Sequence, residues 1–172
     1  LKVHLMAPTG RAAKRLAIAS HMDADTIHKA LEAEKREDGG TVFSRDESDP
    51  LEEDLIIVDE ASMMDISLFY HLLSALKEEA RLILVGDVDQ LPPVGPGTPL
   101  KSIIAWGKVP VTKLKHIFRQ KEGSGIIENA ALIREGNMCI PDEGGEFKIL
   151  PVWSEEEAFD TVMNLCRSLH YG

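Results

Sequence analysis

Acidic residues follow the two most apolar stretches of the sequence. Asp59 and Glu60 come directly after the apolar run at 55–58, and Asp87 follows the run at 82–85 after one glycine. A carboxylate at the end of a buried strand costs desolvation energy unless it is paired or holds a cation. Mg²⁺ binds through one or two carboxylates plus substrate phosphates, and a second acid can orient or deprotonate a water. These acids therefore indicate phosphate chemistry, and the alternative is that they cap loops or pair with a lysine.

The segment QLPPVGPGT at 90–98 cannot form regular structure, because three prolines and two glycines interrupt it. Gln90 opens this segment, and its amide can both donate and accept hydrogen bonds. A glutamine beside a γ-phosphate can position the attacking water, as glutamines do in GTPases. On composition alone, an ordinary turn explains the segment equally well.

Apolar runs and helical patterns alternate along the chain, which is typical of a parallel sheet covered by helices. The predicted strands are 2–7, 54–59, 81–87 and 109–114, and the predicted helices are 9–20, 25–34, 66–76 and 99–106. The continuous apolar runs at 54–59 and 81–87 are typical of strands buried on both faces, and these two strands could be neighbours. Because ligands of open parallel sheets bind at the carboxyl ends of the strands, the acids would meet at one edge.

The pattern changes after FRQ at 118–120, and we expect a domain boundary near residue 115. The later predictions are a helix at 125–136, a strand at 145–152, and a helix at 154–169 that begins with a capping box formed by Ser154 and Glu157. The 172 residues suffice for one α/β domain and part of a second.

The composition excludes several classes of protein. The net charge of −10 argues against binding of nucleic acid through global charge, so any phosphate contact must come from a local basic patch. No apolar run of about 18 residues is present, so we predict no membrane span. Cys139 and Cys166 match no zinc spacing, and reduced thiols in a cytoplasmic protein are expected.

Five segments in order resemble one family. VDEASMMD, GDVDQLPPVGPG and FRQ, preceded by MAPTGRAAKRL and TIHKAL, resemble the superfamily 1 DNA helicases of the RecD/TraA-like branch, the exodeoxyribonuclease V alpha-subunit type. The resemblance covers residues 1–136. It implies an α/β, RecA-like parallel sheet covered by helices in 1–115, which carries helicase motifs Ia, Ib, II and III. It also implies the beginning of a second RecA-like domain in 116–172, which carries motif IV.

The resemblance implies a role in ATP hydrolysis for several residues. Asp59 is similar to the Walker B aspartate that holds Mg²⁺, and Glu60 to the base that activates water. Gly86, Asp87 and Gln90 resemble the motif that couples the γ-phosphate of ATP to the DNA track.

Other residues resemble contacts to phosphate and DNA. Arg119, followed by Gln120, resembles the arginine that reaches the γ-phosphate from the second motor domain, an arginine finger in cis. The residues that resemble contacts to a single-stranded DNA backbone are Pro8, Thr9, Gly10, Arg11, Thr26 and His28. The family moves 5′→3′ along single-stranded DNA and acts in DNA recombination and repair, alone or with other nuclease and helicase subunits.

The 172 residues contain no phosphate-cradling G-x-x-x-x-G-K-S/T motif. We therefore expect a fragment of a helicase core that, in isolation, neither hydrolyses ATP nor binds it tightly. We also expect it to self-associate through an exposed sheet edge. One alternative is a metal-dependent phosphohydrolase or nuclease that uses Asp59, Glu60 and Asp87. Another is a non-enzymatic single-strand binding module built around Arg11 and His28, although the negative net charge weakens it.

Overall fold

The computed structural model describes residues 1–37, 39–114, 124–141 and 145–170, with His170 described by its backbone only. The chain divides into two compact units, Leu1–Lys113 and Leu114–Gly172. This division lies close to the boundary expected near residue 115. The assignment of the units to a first and a second motor domain remains a prediction.

A parallel sheet forms the centre of the first unit. The strands are β1 (Val3–Ala7), β2 (Ala24–Thr26), β3 (Ala33–Lys35), β4 (Thr41–Phe43), β5 (Leu55–Val58) and β6 (Arg81–Leu84). Four of them form one sheet in the order β2-β1-β5-β6, in which every neighbouring pair is parallel. Strands β3 and β4 form a separate antiparallel hairpin. The structure thus confirms that β5 and β6, which precede the two groups of acids, are neighbours.

Helices follow most of these strands. The helices are α1 (Gly10–Ser20), α2 (Ile27–Ala30), α3 (Ile66–Ser74), α4 (Pro99–Trp106), α5 (Gly125–Arg134) and α6 (Glu155–His170), and a 3₁₀ turn spans Ala61–Met63. The core of the first unit lies between its sheet and the helices α2, α3 and α4 of the same unit. Its largest fully buried side chains are Met6, Ile27, Leu31, Ile56, Val58, Met64 and Leu72. Within the described residues, no helix is both long and apolar enough to cross a membrane.

Three predicted elements differ from the structure. Residues 24–26 pair with the carboxyl half of β1 as strand β2, so tertiary pairing replaces the start of the helix predicted at 25–34. That helix ends at Ala30, and Glu32 has a left-handed φ of 53°, which a continuing helix cannot contain. The strands predicted at 109–114 and 145–152 are wrong, because these residues pair with no strand in the part of the chain described here and lie mostly exposed.

Strand β6 lies at one end of the described sheet. It pairs with β5 on one side, and no strand among the described residues pairs with its other side. The apolar side chain of Ile83 is 46% exposed there. An unpaired strand can recruit another chain, and self-association through this edge remains a prediction.

Polar side chains organise the second unit. Asn129 is only 3% exposed, and its amide Nδ2 donates to the carbonyls of Gly125 and Ile140 at 2.8 and 2.9 Å. Its Oδ1 accepts from the Ile140 N–H at 2.6 Å, so this amide holds α5 to the segment after it. At the start of α6, Ser154 Oγ accepts from the Glu157 N–H at 3.1 Å, as the predicted capping box requires. Glu157 reaches back to the N–H of Trp153 rather than to that of Ser154.

Asp65 caps the N-terminus of α3. Its Oδ1 accepts from the Leu68 N–H at 2.8 Å and so satisfies one of the free donors of the first helical turn. We expect Asp65→Ala to lower the free energy of unfolding by about 1 kcal/mol, the usual cost of losing such a cap. Asp65→Asn keeps an acceptor at Oδ1 and should lower the free energy of unfolding clearly less than Asp65→Ala does. Urea denaturation of the isolated chain measures both, and equal losses for the two variants would contradict the capping role.

Candidate functional site

The carboxyl ends of the four parallel strands bring the predicted site residues of the first unit to one edge of the sheet. Thr26 ends β2, Thr9 follows β1 by two residues, Asp59 follows β5, and Gly86 follows β6 by two residues. In the strand order β2-β1-β5-β6, the edge therefore reads Thr26, Thr9, Asp59, Gly86. The residues predicted to contact DNA occupy one half of this edge, and those predicted to act on phosphate occupy the other.

Two threonines shape the DNA half of the edge. Thr9 Oγ1 accepts from the Ala12 N–H at 3.3 Å and caps α1, and Thr26 Oγ1 accepts from the Lys29 N–H at 3.1 Å and caps α2. Each hydroxyl still has its own proton to donate, and a phosphate oxygen can accept it. Two helix N-termini, which favour anions, thus begin beside each other at adjacent strand ends.

Space is available at the start of α1. Pro8 is half-buried, whereas Gly10 and Arg11 are exposed. A Cβ atom at Gly10 would meet no other atom within 4 Å. No described part of the protein therefore requires a glycine at this position, and the open space leaves the first turn of α1 accessible to a close backbone ligand.

The free positive charge of this half lies on α1. Arg11, Lys14 and Arg15 are exposed, and none of them takes part in the ion pairs found among the described residues. Lys29 differs, because its ammonium group bonds to the Asp25 carboxylate at 2.7 Å. This bond holds the pKa of Asp25 below its usual range. The outer face of α1 is therefore a local basic patch, of the kind that a contact with phosphate would need in a chain of negative net charge.

A row of rings holds His28 near the β3–β4 hairpin. The ring centroid of His28 lies 5.8 Å from that of Phe43, which itself lies 4.4 Å from that of His71. Phe43 ends β4, whereas His28 lies in α2 and His71 in α3. The structure thus places His28, exposed, on the DNA half of the sheet edge. Its predicted contact with DNA is not tested by this geometry.

Asp59 and Glu60 form a sharp corner after β5. The Asp59 N–H donates to the Met6 carbonyl at 2.9 Å, and Asp59 Oδ1 accepts from the Glu60 N–H at 2.9 Å. Glu60 has a left-handed φ of 52°, a conformation that costs a residue with a Cβ about 1–2 kcal/mol. Asp59 Oδ2 receives no hydrogen bond or ion pair from the described residues. This oxygen is available to a cation.

The loop after β6 lies directly against this corner. The Ala61 N–H donates to the Val85 carbonyl at 2.8 Å. A Cβ atom at Gly86 would lie 2.8 Å from Leu100 Cδ2 and 2.9 Å from the backbone nitrogen of Ser62. Both distances are shorter than real Cβ contacts, so only glycine fits at position 86. The two loops that carry the predicted phosphate chemistry are in backbone contact.

The proline- and glycine-rich segment is also fixed at its far end. The Ile66 N–H donates to the Pro96 carbonyl at 2.9 Å. A Cβ atom at Gly95 would overlap the Asp65 carboxylate, and Gly97 has a left-handed φ of 85°. The sequence predicts that this segment is irregular, but the close approach of Gly95 to Asp65 was not predicted. The spacing of its glycines was the available signal.

Asp87 uses one oxygen to organise its own turn. Its Oδ1 accepts from the Asp89 N–H at 3.0 Å, and its carbonyl accepts from the Gln90 N–H at 3.2 Å. For this residue, the loop-capping alternative describes the observed contacts. The Gln90 side chain is exposed and lines a cavity of about 170 Å³ together with Ser62 and Lys101.

The acids do not gather into a metal cluster. In the described ranges, no group of three or more His, Cys, Asp or Glu side chains could hold a metal ion, and this includes Asp59, Glu60 and Asp87. The nuclease alternative required those three carboxylates together. A single carboxylate with phosphate oxygens suffices for Mg²⁺, and the available Oδ2 of Asp59 fits that requirement. Arg119 and Gln120 lie outside the described residues.

Comparison with known proteins identifies the family of this chain. The family model described as AAA domain matches residues 1–96, which is more than half of the 172 residues. The chain belongs to this AAA domain family.

Two curated relatives indicate a narrower group within which the chain lies. The ATP-dependent RecD2 DNA helicase of Deinococcus radiodurans is 42% identical over 130 residues, which cover 76% of this chain and 17% of that protein. The RecBCD enzyme subunit RecD of Mycolicibacterium smegmatis is 32% identical over 166 residues, which cover 84% of this chain and 29% of that protein.

These relatives confirm the resemblance of this AAA domain to the RecD-like branch of superfamily 1 helicases. The chain spans less than a third of the length of either relative. A solved structure confirms the predicted fold. The Pif1 helicase from Bacteroides, in complex with ADP-AlF3 and ssDNA, matches with a TM-score of 0.53 and 22% identity over 80% of this chain and 37% of that one.

The tight packing at Gly86 leads to a prediction about stability. Gly86→Ala should lower the free energy of unfolding by about 1–3 kcal/mol, since the added methyl group forces the Ser62 backbone and Leu100 apart. The matched control is Gly10→Ala, where the methyl group meets open space and helix propensity leaves stability unchanged or slightly raised. Urea denaturation of the isolated chain measures both. A loss of similar size for the two variants would show that Gly86 is not sterically required.

Proposed function

We propose that this chain is part of the motor of an ATP-dependent DNA helicase that moves 5′→3′ on single-stranded DNA. The observation that carries the proposal is the order of residues along the sheet edge, which puts two capped helix N-termini beside the corner formed by Asp59 and Glu60. The similarity to the ATP-dependent RecD2 DNA helicase of Deinococcus radiodurans supports it. The ssDNA complex of Bacteroides Pif1 is a second support, at the level of the fold.

In the proposed reaction, the residues after β5 act on the nucleotide. Asp59 would hold Mg²⁺ through Oδ2, and bound Mg²⁺ with ATP neutralises charge on the phosphates. Glu60 would accept the proton of the attacking water, and the left-handed corner fixes the backbone from which its carboxylate projects. Gln90 would orient that water through its amide, from a turn that Asp87 holds in place. Arg119 and Gln120 keep their proposed role at the γ-phosphate.

The residues after β1 and β2 would hold the DNA backbone. The amide groups that begin α1, the hydroxyls of Thr9 and Thr26, and the guanidinium of Arg11 can all donate to phosphate oxygens. Such contacts read no base, which suits a motor that moves along any sequence. His28 would contribute a further contact beside Thr26.

The two halves of the edge are linked by a short backbone path. The Asp59 N–H donates to the Met6 carbonyl, and Met6 lies two residues before Pro8, where the proposed DNA loop begins. A change in the position of Asp59 on nucleotide binding would therefore reach the DNA loop through one hydrogen bond between neighbouring strands. This supports coupling between ATP hydrolysis and movement on DNA.

The whole protein's partners and pathway are also proposals. The relatives include a RecD2 helicase and subunits of RecBCD enzyme, which supports a role in DNA recombination and repair either alone or within a nuclease complex. The nuclease alternative lacks its three-carboxylate cluster among the described residues. The binding-module alternative leaves the corner at Asp59 and Glu60 without a purpose.

The role of Glu60 has a direct test in the whole protein that contains this chain. Glu60→Gln should lower kcat for DNA-stimulated ATP hydrolysis by about 10²- to 10⁴-fold, because the amide cannot accept the proton. Binding of single-stranded DNA should persist. Glu79→Gln, an exposed glutamate that precedes β6, is the control and should leave kcat unchanged. The isolated 172-residue chain should show no turnover, and turnover abolished by Glu60→Gln in that chain would contradict this expectation.

The role of Arg11 is tested by salt dependence. Arg11→Ala should weaken binding of single-stranded oligonucleotides of any sequence and reduce the slope of log K against log salt by about 0.7, the value for one lost contact to a single strand. Arg81→Ala is the control, since this exposed arginine lies at the amino end of β6. Fluorescence anisotropy at several salt concentrations measures both. An unchanged slope for Arg11→Ala, or an equal change for Arg81→Ala, would contradict a contact between Arg11 and DNA.

A further inference from the structure

Ser62 holds a polar atom that the rest of the described structure does not satisfy. Its Oγ is inaccessible to solvent and has no hydrogen-bond partner among the described residues. Ser62 lies in the 3₁₀ turn directly after Glu60, and its backbone nitrogen packs against Gly86. Buried hydroxyl groups are normally hydrogen-bonded, so an unpartnered one next to a candidate active site indicates a partner that arrives in another state of the protein.

A cavity in front of Ser62 has room for such a partner. The cavity measures about 170 Å³ and is lined by Ser62, Gln90, Thr98, Leu100 and Lys101, with Val88, Leu91, Pro92 and Pro93 completing its wall. A water occupies about 30 Å³ in the liquid, so a side-chain amide fits in this space.

Gln90 is a suitable partner among the groups that line the cavity. Its amide offers both a donor and an acceptor, and a serine hydroxyl can satisfy either. Its backbone is already fixed by the bond from its N–H to the Asp87 carbonyl, so only side-chain torsions need to change. Lys101 is exposed and can only donate, which leaves the Ser62 proton without an acceptor.

We propose that Ser62 is a positioning residue for Gln90. Its hydroxyl hydrogen-bonds to the Gln90 amide when the Gln90 side chain turns into the cavity, and this bond orients the amide toward the attacking water. The inference rests on the proposed function, because it gives Gln90 its role in hydrolysis. It adds a residue from the turn after Asp59 and Glu60 to the control of the loop that follows β6.

The experiment is a double-mutant cycle in the whole protein, with Ser62→Ala, Gln90→Ala and the pair. Ser62→Ala should lower kcat for DNA-stimulated ATP hydrolysis about five- to tenfold, the effect of one positioning hydrogen bond, and leave KM for ATP unchanged. In the Gln90→Ala background, Ser62→Ala should have no further effect, because the interaction is already lost. The Tm of the Ser62→Ala variant should be unchanged or higher, since this substitution removes a hydroxyl without a partner.

Lys101→Met is the matched control, since it alters the same cavity and leaves Ser62 and Gln90 in place. It should leave kcat unchanged, and a loss equal to that of Ser62→Ala would show that cavity shape alone matters. An unchanged kcat for Ser62→Ala, an additive loss in the pair, or a lowered Tm for Ser62→Ala overturns the inference. If Gln90→Ala reduces kcat and Ser62→Ala does not, only the inference fails. If Gln90→Ala and Glu60→Gln both leave kcat unchanged, the proposed function fails as well.

Discussion

The hydrogen bond from the Ala61 N–H to the Val85 carbonyl joins the two loops on which the candidate site depends. One loop carries Asp59 and Glu60 away from β5, and the other carries Asp87 and Gln90 away from β6. The bond extends the pairing of these strands past their regular ends, and the missing side chain of Gly86 lets the backbones approach that closely. The left-handed conformation of Glu60 is held on both sides, because Asp59 Oδ1 accepts from its N–H and the next residue, Ala61, is bonded to Val85. The backbone of this candidate catalytic residue is thereby fixed before any ligand arrives.

The two edges of the sheet differ in whether their charged side chains are paired. At the amino edge, Asp54 accepts from Lys77 Nζ at 2.6 Å and from the Lys2 N–H at 2.8 Å, and the Lys77 ammonium lowers the pKa of Asp54. At the carboxyl edge, Arg11 and its neighbours on α1 form no such pairs among the described residues. A chain with a net charge of −10 can thus still present a basic surface to a phosphate backbone.

The sequence allowed three of the four strands of the parallel sheet and the position of the acids to be predicted, because β1, β5 and β6 are mainly apolar runs. It failed for β2, a short strand whose residues Ala24 and Asp25 have low strand propensity and which exists through pairing with β1. The apolar residues at 109–114 led to the opposite error, a predicted strand that is not formed, and Leu114 remains 86% exposed. Glu60's backbone conformation and the orphan hydroxyl of Ser62 depend on contacts between segments distant in sequence. No local pattern could reveal them.

The segment between Gly86 and Gly95 is anchored at both ends by positions where no side chain fits. The number of residues between these two glycines is consequently fixed by the fold. Leu91 and Val94 within this segment are highly exposed, so these two positions can vary. An inserted or deleted residue would instead pull one glycine out of register and push a Cβ into Ser62 or Asp65. Relatives with the same two anchors should therefore tolerate substitutions at such exposed positions but no change in the number of residues of this segment.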